Sequence, residues 1–119
     1  MRSALCAMLP FYHPDFAEFL FCGADLIESK DIGPALDRLT CTVDLKRSVE
    51  GAEFITEAIP EDLDLKQDIF QRVEDLCRPE AILASNTSSL TLKHIGARVK
   101  NKQRMVTTHW FNPPQLVPT

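Results

Sequence analysis

His109 is the residue best placed to do acid–base chemistry. The run Met105-Val106-Thr107-Thr108 leads into it, and Trp110-Phe111-Asn112-Pro113-Pro114 follows. Imidazole titrates near neutrality, so a histidine held at a strand end can take or release a proton at physiological pH. Two other polar clusters stand in the same relation to an apolar run. Glu57 and Glu61 follow the run that begins at Phe54, and Asn86, Thr87, Ser88 and Ser89 follow Ala81-Ile82-Leu83-Ala84. In an open α/β sheet the carboxyl ends of the strands form the ligand-binding edge. Each cluster also has a simpler reading. Ser88 and Ser89 suit the cap of a following helix, Glu57 and Glu61 a solvated turn, and Lys66 a solvated charge on a polar helix face. His94 is expected to face solvent, Trp110 and Phe111 to pack, and His13 is given no role.

The elements that must position these groups alternate in type. Asp44 is suited to cap a short helix carrying Leu45 and Val49, with Gly51 at its C-terminal stop. Phe54 to Ala58 is expected to be a strand. Pro60-Glu61-Asp62 opens a helix that ends at Arg78-Pro79. Leu63, Ile69, Phe70, Val73, Leu76 and Cys77 form its apolar face. Asp64, Lys66, Gln67, Asp68, Arg72 and Glu74 are assigned to the polar one. Ala81 to Ala84 is a second strand, and Leu92, Ile95 and Val99 mark a short helix weakened by Gly96. Arg104 to His109 is a third strand. Strands that are apolar throughout belong to parallel sheets covered on both faces. The predicted fold class is therefore α/β, with a parallel sheet and flanking helices. Residues 1–34 give no clear element. Phe16, Phe19, Leu20 and Phe21 fit one face of a short helix, but Gly23, Gly33 and Pro34 punctuate the region.

Composition narrows the function classes. The chain has 119 residues, 45% hydrophobic and 25% charged, enough for one modest domain. Its net charge of −4, with no basic run interleaved with aromatics, argues against a nucleic-acid partner. No apolar stretch is long enough to span a membrane. Cysteines 6, 22, 41 and 77 form no Cys-x-x-Cys and lie at no metal-ligand spacing, so free thiols and no metal site are expected.

Three motifs, in order, carry a resemblance: Glu57-Ala58-Ile59-Pro60-Glu61-Asp62-Leu63, Ala84-Ser85-Asn86-Thr87-Ser88-Ser89-Leu90 and His109-Trp110-Phe111-Asn112-Pro113. Together they resemble the NAD-binding domain of the L-3-hydroxyacyl-CoA dehydrogenase family over roughly residues 38–119. The Asn-Pro-Pro form is also similar to the lambda-crystallin/gulonate and carnitine dehydrogenase relatives. The resemblance implies a Rossmann-like sheet, NAD as cofactor and an acyl-CoA or small hydroxy-acid substrate in fatty-acid or related metabolism. It implies that His109 is the base, that Ser88 hydrogen-bonds the substrate oxygen near the nicotinamide and that Asn112 shapes the same pocket. It places Glu61, Lys66, Asn86 and Ser88 along the cofactor, with Lys66 also near the CoA.

Two family features have no counterpart. No pair of glycines has Gly-x-Gly-x-x-Gly spacing, so the first strand–helix unit is not recognisable and the predicted fold is incomplete. The carboxylate that should pair with His109, and a helical second domain, are expected beyond Thr119. On that reading the chain is truncated and lacks turnover. Residues 1–34 are left unassigned, and 35–119 are taken as the C-terminal part of the domain. The alternatives are a dehydrogenase of a free hydroxy acid or sugar acid, or a non-catalytic remnant or partner subunit. A homodimer is expected if the helical domain is present in the full protein. The expected compartment is the cytoplasm, with mitochondrion and peroxisome as alternatives.

Overall fold

The computed structural model describes residues 28–38 and 40–109. They fall into two units, one holding Cys41–His109 and the other a single described helix, α1 (Ser29–Leu36). Helix α1 runs through Gly33 and Pro34, which the sequence had suggested as breaks. The missing N–H of Pro34 leaves one carbonyl of the preceding turn unserved. The turn is completed beyond it, where Asp37 N donates to Gly33 O at 3.0 Å. The suggested helix around Phe16–Phe21 lies outside the described residues.

The larger unit contains α2 (Leu45–Val49), β1 (Phe54–Glu57), α3 (Leu63–Leu76), β2 (Ile82–Ser85), α4 (Leu92–Ile95) and β3 (Met105–Thr107). The three strands are parallel in the order β1-β2-β3. This is the Rossmann-like α/β arrangement that the apolar runs implied. Two aspartates start helices as expected. Asp44 accepts from Arg47 N at 3.2 Å and Asp62 from Leu65 N at 2.9 Å. Helix α2 instead stops at Glu50 in right-handed backbone, and Gly51 has no left-handed φ. Gly96 ends α4 after four residues, and a 3₁₀ turn, Gly96–Arg98, carries the chain on. Another such turn, Lys102–Arg104, precedes β3.

Strand register decides which side chains share a face. Phe54 to Glu57 pair with Ile82 to Ser85 in order, and Leu83 to Ser85 with Met105 to Thr107. Ile55, Leu83 and Met105 therefore point to one side. There they join Phe70 and Val73 of α3, with Val49, Ile95 and Val99, in the buried core. Glu57 and Ser85 are the last residues of β1 and β2 on that same face. The apolar layer thus ends in a carboxylate and a hydroxyl, both buried.

Candidate functional site at the carboxyl edge of the sheet

The helix-face assignment of Lys66 is corrected by the structure. Lys66 is 1% exposed, and it lies four residues before Phe70 and seven before Val73, on the inward row of α3. That spacing was the available signal. Residue type pointed outward, while position pointed inward. Each of the three N–H groups of its ammonium has an acceptor there. They are Glu57 Oε1 at 2.6 Å, Ile59 O at 3.2 Å and Glu61 Oε2 at 3.2 Å.

Glu57, which the simpler reading placed in a solvated turn, is buried as well. Its Oε1 also accepts from Ile59 N at 2.7 Å, and its Oε2 accepts from Ser85 Oγ at 2.6 Å. A buried carboxylate is tolerated when it is paired and hydrogen-bonded, and this one meets both conditions. Backbone pairing continues just past the strands. Asn86 N donates to Glu57 O at 2.8 Å, and Thr108 N to Ser85 O at 3.0 Å.

Glu61 stands above this pair, immediately before the cap of α3. Its Oε1 accepts from Thr87 Oγ1 at 2.5 Å, Ser88 N at 3.1 Å, Ser89 N at 3.0 Å and Ser89 Oγ at 3.0 Å. These donors hold its carboxyl far below the usual range. The Thr87 hydroxyl contributes most, followed by the Ser89 amide and hydroxyl and then Lys66, all against desolvation. The loop after β2 is thereby gathered onto a single ionised carboxylate.

Each residue singled out in the sequence can now be placed. Asn86 is half-buried and Ser88 exposed on the loop that leaves β2, and His109 is half-buried just beyond β3. Glu61 binds the Ser88 loop, and Lys66 lies beneath Glu61. Asn112, with Trp110, Phe111 and the two prolines, lies outside the described residues. His94 is exposed, and its carbonyl accepts from Gln67 Nε2 at 2.8 Å. The described cysteines, Cys41 and Cys77, are free thiols. Among the described residues no cluster is suited to a metal ion and no helix is long and apolar enough to cross a membrane. What single-residue reasoning missed is Glu57, whose role depends on partners 9 and 28 residues away.

A parallel sheet with amide, hydroxyl and imidazole groups gathered at its carboxyl edge is the arrangement of a dinucleotide-binding α/β domain. The family described as "3-hydroxyacyl-CoA dehydrogenase, NAD binding domain" matches residues 21–119. The chain belongs to that family, whose members are NAD-dependent dehydrogenases of 3-hydroxyacyl-CoA and related hydroxy acids. It is 40% identical over 86 residues to an L-carnitine dehydrogenase of Streptomyces coelicolor, covering 72% of this chain and 27% of that protein. It is 38% identical over 86 residues to a probable 3-hydroxyacyl-CoA dehydrogenase of Caenorhabditis elegans, covering 72% and 28%. In structure it is similar to the dehydrogenase part of a multifunctional enzyme of C. elegans. There the TM-score is 0.75 at 27% identity, over 87% of this chain and 23% of that one. The chain thus spans between a quarter and a third of the length of those two curated relatives.

NAD is the cofactor of this domain. Asn86, Ser88 and His109 offer polar groups at the edge without being fully buried. The sequence holds no Gly-x-Gly-x-x-Gly turn, so none of its residues is assigned to the pyrophosphate.

Proposed function

We propose that this chain is the nicotinamide-side part of a dehydrogenase that oxidises the 3-hydroxyl of an acyl-CoA, with residues 35–119 as the C-terminal part of its NAD-binding domain. The observation that carries the reading is the Thr108–Ser85 backbone bond at 3.0 Å. It ties the exit of β3 to the end of β2, so His109 leaves the sheet beside the start of the Ser88 loop.

In this reading His109 takes the hydroxyl proton as general base. The Ser88 hydroxyl donates to the substrate oxygen and holds it in line with the base, and Asn112 shapes the same pocket. Asn86 and Ser88 hold the nicotinamide end of the cofactor. Glu61 and Lys66 line the same cofactor, and Glu61 also binds the Ser88 loop. Bound NAD supplies the hydride acceptor.

Titration of the chain with NADH, followed by nicotinamide fluorescence, tests the cofactor part. A dissociation constant on the order of micromolar supports it, and absence of binding up to about 1 mM overturns it. Oxidation of NADH by acetoacetyl-CoA, lost in His109→Ala, tests the reaction and would overturn the expectation that this chain lacks turnover. A free hydroxy acid is the second reading, favoured by the 40% identity to an L-carnitine dehydrogenase. Reduction of NAD with L-carnitine, and no response to acetoacetyl-CoA, would select it.

A further inference from the structure

The loop 86–90 carries Ser88 yet belongs to no helix or strand. Its order must come from hydrogen bonds of its own amides, and these trace to few sources. Thr87 N donates to Ser85 Oγ at 3.3 Å, and that hydroxyl donates in turn to Glu57 Oε2. Ser88 N and Ser89 N donate to Glu61 Oε1. Leu90 N donates to Thr87 Oγ1 at 3.0 Å, and that hydroxyl donates to the same Glu61 oxygen. Four consecutive amides therefore depend on two carboxylates. The two carboxylates meet at one cation, the Lys66 ammonium, 2.6 Å from Glu57 and 3.2 Å from Glu61.

We propose that Lys66 is a positioning residue for Ser88. It joins Glu57, the anchor beneath the start of the loop, to Glu61, the anchor of its middle, and so sets where the Ser88 hydroxyl stands at the sheet edge. Lys66 is 1% exposed and its three N–H groups are taken up within the protein, so the bridge acts through these carboxylates. A cation is required at this point. Two carboxylates converging on one buried atom would otherwise repel, and Glu61 would relax outward and release the loop. The importance of Ser88 to the reaction rests on the function proposed above, whereas the bridge itself is a property of the fold.

The test is NMR of this chain in three forms: parent, Lys66→Met, and the double variant Glu57→Gln/Lys66→Met. The double variant leaves no buried charge unpaired and keeps the reasoning testable if Lys66→Met does not fold. Amide exchange at Ser88 and Ser89 is read as a ratio to exchange at Leu83 in the core. Loss of a charge-assisted bond should raise that ratio about tenfold in both variants. The acid titration of the Ser88 and Ser89 amide shifts should also move upward from the parent's, since Lys66 is one of the groups that hold the Glu61 carboxyl down. Exchange ratios and pH profiles equal to the parent's overturn the proposal. So does acceleration of Leu83 by the same factor, which would mean simple destabilisation. The parent's NADH titration is scored separately. Failure to bind NADH refutes the functional reading, while the exchange ratios still judge the bridge.

Discussion

Removing the Lys66 ammonium is the perturbation with the largest expected consequence for stability. At 2.6 Å, an effective dielectric of about 20 gives a gross attraction to Glu57 of about 6 kcal/mol. Most of that offsets desolvation, since the Lys66 and Glu57 side chains are 1% and 5% exposed. What Lys66→Met leaves behind is a buried carboxylate without its cation, at a loss of about 3–5 kcal/mol. Glu57→Gln strands the ammonium in the same way, although Glu61 and the Ile59 carbonyl still hold it, so a smaller loss is expected. The double variant should recover most of the damage, because Gln and Met fill similar volume without net charge. Urea unfolding followed by far-UV circular dichroism reads these differences. With a slope near 2 kcal/mol per molar, Lys66→Met lowers the midpoint by about 2 M. Two results would refute the reasoning: a loss below about 1 kcal/mol for Lys66→Met, or a double variant as damaged as the sum of the singles.

Two further outcomes follow from the same structure. Burial pushes the Glu74 carboxyl up, but the Asn101 and Lys100 amides and Arg104 outweigh it and hold it below its ordinary value. Between its folded and unfolded values the unfolded chain binds more protons. Stability from Glu74 is therefore complete above about pH 4.3 and is lost as pH falls through the folded value. Glu74→Gln should flatten the acid limb of the melting temperature against pH, and an unchanged limb would contradict the assignment. Phe70, 1% exposed at the centre of α3, should lose about 3–5 kcal/mol on substitution by alanine, measured as a shift in the urea midpoint. A loss under about 1 kcal/mol would mean that the core does not pack through this ring.

Part of this protein is determined by its sequence alone, because part of its structure is local. Apolar runs before Glu57, Asn86 and His109 become strands since nothing else accommodates them, and Asp44 and Asp62 start helices since their side chains reach amides three residues on. The short motifs around Glu61, Ser88 and His109 also named the family and its cofactor. Gly33 and Pro34 misled, because a proline reads as a break even where the following turn still closes. The tertiary structure decided what these residues do to one another. Parallel register sets Glu57 beside Ser85. The pitch of α3 turns Lys66 inward with Phe70. Together they join Lys66, Glu57 and Ser85, all buried, to the exposed Glu61 in one network beneath the Ser88 loop. Periodicity detects whether a residue is apolar. It does not detect a charge whose partners come from another strand and make its burial favourable.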